Sequence, residues 1–188
     1  MSYVPNDFTI EKIDKSHLGV IKNFHSYEQD LVDFLIDDAF DNQEKNISTT
    51  YLWFLREKKE LVGYVTILTD SISLNQQLKR EFVMKNIPYK SLPALKIGRL
   101  CIDNNFLKKG IGRIMLSFVY SRIILINKTA GCRFITLDAK RNPDNKLDSM
   151  HFYKKMGFSV LRERTKGTTS MYKDLNIIIA EQKTKGSG

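Results

Sequence analysis

The sequence predicts an α+β domain of α/β-like character, on three observations. Ala94 to Asp103 is a nearly continuous apolar stretch, as expected of a strand in the middle of a sheet. It leads through the basic turn Lys108-Lys109-Gly110-Ile111-Gly112-Arg113 into Gly110 to Lys128. There Ile111, Ile114, Met115, Phe118, Val119, Ile123 and Ile126 follow helical spacing. Strand pairs precede and follow this unit in the chain, one turning at Glu57-Lys58-Lys59-Glu60 and the other at Lys166-Gly167.

The remaining elements follow in order. Phe8 to Ile13 alternates apolar and polar residues like a first strand. Residues 27 to 40 place Leu31, Phe34, Leu35 and Ala39 on one face and acids on the other, which predicts an amphipathic helix. Ser48 to Arg56 is rich in β-branched and aromatic residues and pairs with Leu61 to Thr69, where Gly63 is expected to mark a bulge. Residues 70 to 92 do not read as strand. Leu74, Leu78, Phe82 and Val83 have rough helical spacing, Pro88 and Pro93 punctuate the exit, and the stretch reads as a substrate-side flap or a surface loop. Gly98-Arg99 interrupts the central strand in a way that suits a bulge. Cys132 to Ala139 reads as a buried strand, Asp148 to Met156 as a short helix closed by Gly157, and Phe158 to Arg164 with Thr168 to Lys173 as a closing pair. One domain over residues 1–176 and a polar tail without fixed structure over 177–188 are expected.

Composition narrows the function classes. Apolar residues make up 42% of the 188, with 11 Phe and 8 Tyr, which excludes a disordered chain. No apolar run approaches the roughly 20 residues of a membrane span, and the start lacks the basic and apolar regions of a signal peptide. Cys101 and Cys132, the only cysteines, are too few for a disulfide scaffold and fit a reducing cytoplasm. Both fall on predicted buried strands as small core residues rather than nucleophiles. The net charge of +9 is unevenly spread. Residues 1–60 hold 7 Lys/Arg against 12 Asp/Glu, a balance of −5, and residues 61–188 hold 23 against 9, a balance of +14. That excess suits a polyphosphate ligand, a nucleic acid, or simply a solvated basic surface.

The turn itself has the chemistry of a phosphate cradle. Glycine lets the backbone curl so that successive N–H groups point at one spot, and the first turn of the helix adds unpaired donors and its positive dipole end. Lys108, Lys109 and Arg113 bring mobile positive charge to the same place. Neither glycine is followed by Lys-Ser or Lys-Thr, so this is not a nucleotide P-loop, and Met115 stands where a dinucleotide fingerprint needs its third glycine. A lone Gly-x-Gly also suits an ordinary strand-to-helix turn.

A second motif comes one helix and one strand later, Met150-His151-Phe152-Tyr153-Lys154-Lys155-Met156-Gly157-Phe158. With Leu107-Lys108-Lys109-Gly110-Ile111-Gly112, it resembles the signatures of the GNAT superfamily of acetyl-CoA-dependent acyltransferases. These are Arg/Gln-x-x-Gly-x-Gly/Ala after the fourth strand and a later Phe-Tyr-x-x-x-Gly-Phe. Leu107 departs from the first pattern, leaving Lys108 or Lys109 to compensate for the missing loop side chain. The resemblance runs over positions 7 to 174. Phe24-His25-Ser26-Tyr27 leading into Leu31, Phe34 and Leu35, and Ser91-Leu92-Pro93-Ala94 leading into Ile97-Gly98-Arg99-Leu100, look like one branch. It includes tRNA-acetylating toxins of toxin–antitoxin pairs as well as stand-alone acetyltransferases.

The resemblance implies a mixed, mostly antiparallel sheet of six to seven strands, with helices on both faces and a central strand pair that splays. It puts backbone groups of Leu100, Cys101 and Ile102 beside the acetyl-pantetheine arm of acetyl-CoA, with the N–H of Leu100 or Cys101 near the thioester oxygen. Lys108, Lys109, Gly110, Ile111, Gly112 and Arg113 would hold the pyrophosphate. Tyr153 matches the family's general acid toward the departing thiolate, and a phenol with a pKa near 10 is protonated at neutral pH. The family's Asn after the fifth strand has no aligned counterpart, Lys146 taking its place with Asn145 one residue off.

No general base announces itself, because residues 94–102 contain no carboxylate. Asp103 and Asp138 are the nearby acids, and either suits a structural role. Arg99 suits contact with an anionic substrate or an ion pair, and His151 is expected on an exposed helix face. The expected activity is direct transfer of an acetyl group from acetyl-CoA to a primary amine, preferably a small-molecule or peptide-like amine, in the cytoplasm. The alternatives are the amino group of an aminoacyl-tRNA and a non-catalytic acyl-CoA-binding module. No membrane partner is expected, while a homodimer and an antitoxin partner fit the resemblance.

Overall fold

The computed structural model describes residues 3–140, 149–162 and 167–185, the last five in backbone only. Seven strands lie in the order β1-β2-β3-β4-β5-β7-β6, which matches the expected mixed sheet. They are β1 (Phe8–Lys12), β2 (Thr49–Leu55), β3 (Glu60–Ser73), β4 (Ser91–Ile102), β5 (Phe134–Lys140), β6 (Ser159–Arg162) and β7 (Thr168–Asp174). The helices are α1 (Gln29–Asp33), α2 (Ala39–Glu44), α3 (Gln76–Met84), α4 (Ile111–Ile126), α5 (Ser149–Lys155) and α6 (Leu175–Lys185). Four of the strand pairings are antiparallel, β1 with β2, β2 with β3, β5 with β7 and β6 with β7. β4 and β5 are neighbours joined through α4, the long crossover that a parallel pair requires.

Contacts gather the chain into two compact units. The first comprises Met1–Leu68 and Ile97–Val119. Its core joins Ile13, Ile21, Phe24, Leu35, Ala39, Leu52, Phe54, Leu61, Tyr64 and Cys101. The predicted helix over 27–40 forms as α1 and α2 with a π-helical turn, Phe34–Asp38, between them. Leu35 and Ala39, four residues apart, are both fully buried. Where β2 meets β3, Trp53 faces Gly63 and Phe54 faces Leu61, leaving Val62 as an extra residue. The bulge therefore falls beside Gly63, as expected, and the glycine has a reason to be there. A Cβ on it would sit 2.7 Å from the carbonyl oxygen of Cys101.

The second unit comprises Thr69–Lys96 and Tyr120–Gly188. Here residues 70–92 depart from the flap or surface loop that the sequence suggests. β3 runs on to Ser73 and β4 begins at Ser91, so only a short helical connection is left. Asn75 caps α3 by accepting a hydrogen bond from the N–H of Leu78 at 2.9 Å. Leu78 and Phe82 are buried with Ile72, Leu74, Leu92, Ala94 and Phe134. The tail expected from residue 177 is instead helical to Lys185, with Leu175 and Ile178 buried. The expected turn residue Lys166 lies outside the described residues, and so do Asn145 and Lys146.

A Cβ on Gly98 would lie 2.9 Å from the Leu68 side chain, so β4 passes close to β3 at the expected Gly98-Arg99 position.

Gly63→Ala is expected to cost about 1–3 kcal/mol, because the atom it must displace is backbone rather than a flexible side chain. Urea unfolding measures this, and an unchanged midpoint would contradict the close approach.

Candidate active site

The site begins where β4 ends. Asp103 is buried, and both of its carboxylate oxygens accept backbone N–H groups, from His25 at 2.9 Å and from Asn105 at 2.9 Å. The N–H of Asn104 donates to the His25 carbonyl at 3.0 Å, and the Asn104 side-chain oxygen accepts from the N–H of Tyr27 at 3.1 Å. The segment Phe24-His25-Ser26-Tyr27 is thus stitched to the start of the basic turn. Sequence reasoning left Asp103 between roles; the signal that finds it is its place before Asn104-Asn105, since Asp readily accepts from the N–H two residues on.

Beyond Phe106 the chain curls through two left-handed residues, Lys108 at φ 60° and Gly110 at φ 84°. Gly110 is therefore the glycine that the curl requires. Gly112 is buried inside the first turn of α4 without a left-handed conformation. The N–H of Arg113 closes this turn on the Gly110 carbonyl at 3.1 Å. Lys108 and Arg113 are exposed and form no ion pair among the described residues. Lys109 differs: its ammonium donates to the Asn105 carbonyl at 2.7 Å and lies 5.0 Å from the centre of the Phe106 ring. Two mobile cations and one anchored cation thus surround a helix start, which suits a diphosphate.

Of the strand residues, Cys101 is buried, Leu100 and Ile102 are half-buried and Arg99 is exposed. Arg99 donates to the Gly98 carbonyl at 2.7 Å and stacks 5.0 Å from the centre of the Phe34 ring. Burial pushes the Cys101 thiol up to about 11, so it stays protonated near neutral pH. A thiol in that state is a poor nucleophile.

In the second unit Tyr153 lies on α5, buried with 7% of its surface exposed. Its ring packs between Phe152 at 5.2 Å and Phe158 at 5.6 Å. The N–H groups of Met156 and Phe158 both donate to its carbonyl at 3.0 Å, and Gly157 turns the chain at φ 80°. The aromatic-rich motif thus closes a short helix and fixes one phenol. His151 on the same helix is exposed, as expected. Asp138 pairs with Lys96 at 2.8 Å and accepts from the Ser170 hydroxyl at 2.7 Å. They line a hollow of about 180 Å³ with Asp70 and Thr136, themselves bonded at 2.6 Å. The two acids nearest to β4 in the sequence reading, Asp103 and Asp138, are therefore both occupied by structural partners.

Residues 48–160 match the model of an acetyltransferase (GNAT) domain. Solved structures similar to the chain include a tyrosine-to-phenylalanine mutant of KacT, with a TM-score of 0.77 at 21% identity, covering 93% of this chain and 98% of that one. AtaT complexed with acetyl-methionyl-tRNAfMet gives a TM-score of 0.75 at 21% identity, again covering 93% and 98%. AtaTR bound with acetyl-CoA gives 0.73 at 21%, with the same shares covered. At these identities the likeness establishes a shared fold.

Two outcomes test the site. Gly110→Ala disfavours the left-handed turn by about 1–2 kcal/mol; as the variant relaxes out of it, acetyl-CoA affinity is expected to fall by up to about tenfold, and calorimetry that finds unchanged affinity removes the turn from the site. Cys101→Ala is expected to keep turnover within about threefold, since no acyl-cysteine forms, and complete loss would mean that the thiol reacts.

Proposed function

Since the chain belongs to the GNAT acetyltransferase family, whose chemistry is acetyl-CoA-dependent N-acetylation, we propose that its acceptor is the α-amino group of an aminoacyl-tRNA. The single observation that carries this reading is that the central strand supplies no base. β4 has no carboxylate from Ser91 to Ile102, and Asp103 and Asp138 are both engaged. An ordinary lysine-like amine, with a pKa near 10.4, needs a base to take its proton. An α-amine, with a pKa near 8, is already partly neutral at pH 7. The balance of +14 over residues 61–188 suits a polyanionic acceptor, because phosphate contacts dominate nucleic-acid binding. Full-length likeness to AtaT, itself solved with an acetylated methionyl-tRNA, agrees with the same acceptor. The small-molecule or peptide-like amine expected from sequence has no comparable support.

Bound acetyl-CoA supplies a thioester. In this reading Lys108, Lys109, Gly110, Ile111, Gly112 and Arg113 hold its diphosphate. Backbone groups of Leu100, Cys101 and Ile102 line its arm, an N–H of Leu100 or Cys101 donating to the thioester oxygen as charge builds there. The Tyr153 hydroxyl delivers a proton to the departing sulfur. Arg99, exposed beside Phe34, faces the acceptor as a contact for phosphate. An acetyl group on the α-amine blocks the use of that tRNA in elongation, so the protein would act as a toxin held in check by an antitoxin.

Acetyl-CoA consumption is to be measured against polyamines, amino acids, peptides and aminoacylated tRNA. Turnover with aminoacylated tRNA alone is the expected result, and turnover confined to a small amine would reject this acceptor. Tyr153→Phe should lower kcat by about 10²-fold or more while acetyl-CoA still binds. Expression of the wild type should arrest growth and expression of Tyr153→Phe should not.

A further inference from the structure

We propose that Lys173 is a positioning residue for Tyr153, acting through the carbonyl of Met156; this rests on the reading of Tyr153 as the general acid. Lys173 is the one Lys or Arg among the described residues that is buried, with 3% of its surface exposed. It lies on β7 opposite Ile135 of β5. A buried ammonium is costly unless its hydrogen bonds are met, and a Met or Leu would fill the same strand position without that cost. What the ammonium reaches explains its presence. Its Nζ donates to the Met156 carbonyl at 3.0 Å and lies 5.1 Å from the centre of the Tyr120 ring. The Tyr120 hydroxyl donates to the same Met156 carbonyl at 3.5 Å.

Met156 directly follows α5, at its C-terminal end, and its N–H returns to the Tyr153 carbonyl at 3.0 Å. A helix of seven residues holds its shape through its surroundings rather than through its own hydrogen bonds. Its carbonyl end carries partial negative charge, which a cation satisfies. The Gly157 turn closes the chain on one side of Met156, and Lys173 with Tyr120 pins its carbonyl from the other. One helical turn away, the phenol of Tyr153 inherits that fixed frame. A proton donor displaced by even an ångström loses much of its advantage, so this anchor should appear in turnover rather than in cofactor binding.

The test is a double-mutant cycle with Tyr153→Phe, read as kcat and acetyl-CoA KM with a mixture of polyamines, amino acids, peptides and aminoacylated tRNA as acceptors. Lys173→Met is expected to lower kcat about tenfold or more, leave acetyl-CoA KM within about twofold, and add no further loss in the Tyr153→Phe background. Lys173→Arg, which keeps charge and donor, is expected to recover most of kcat. An equal loss in both backgrounds, or a rise in KM with kcat unchanged, would mean that Lys173 only supports the fold and would overturn the inference. If Lys173→Met does not fold, Tyr120→Phe takes its place, with a smaller loss of kcat that likewise vanishes in the Tyr153→Phe background; a loss that persists there overturns the inference too. The two levels separate cleanly. Full turnover by Tyr153→Phe defeats the general-acid reading itself, whereas an impaired Tyr153→Phe beside a fully active Lys173→Met defeats only the role of Lys173.

Discussion

The first unit depends on a buried carboxylate bonded to main chain rather than to a cation. Asp103 sits at the end of β4 and spends its charge on two backbone donors, one from the turn just after it and one from the distant His25. Charge-assisted bonds of this kind are stronger than neutral ones, and a donor left without its partner in such a place is expensive. The direction in which the chain leaves β4 is thereby fixed. So is the start of the curl through Lys108 and Gly110, and with it the point at which α4 opens. A turn that gathers a diphosphate, as proposed for this one, needs its amides aimed before the ligand arrives, and the two backbone bonds to Asp103 would set that aim.

The chemistry follows from what β4 leaves out as much as from what it contains. β4 carries no carboxylate, burial holds the Cys101 thiol protonated, and Asp103 and Asp138 are committed to other partners, while the carboxylate of Glu28 acts on Cys101 from outside the strand. On the proposed reading the strand itself offers binding and orientation, with Tyr153 as the proton donor. Such a strand suits an acceptor that arrives partly neutral better than a strongly basic amine.

Much of this was legible in the chain because the relevant signals are local. The apolar run of β4, the helical spacing from Ile111 to Ile126 and the glycine at the bulge all report on residues within a few positions of one another. The stretch from Asp70 to Ser91 was harder. Its strand portion places Ile72 between polar residues, and its helix buries only Leu78 and Phe82 on partners that include the distant Phe134. The last helix was hidden by its own composition, since polar residues from Glu181 onward mask the apolar Ile177, Ile178 and Ile179 before them. Asp103 left only the local trace of its place before Asn104-Asn105, and Lys173 left none, because a single charge in a strand reads as solvated until the surrounding elements close over it.

The π-helical turn at Phe34–Asp38 has a bearing on how this chain tolerates insertions and deletions. Such a turn accommodates one residue beyond the regular helical repeat, so it sets the register between the residues upstream and downstream of it. Removing one residue there would give an unbroken α-helix with better local geometry, yet it would swing the upstream half of the helix by about 100° relative to the downstream half. Phe34 would then no longer lie beneath the guanidinium of Arg99. The exposed arginine thus depends on the length of this segment as well as on the ring that the segment carries.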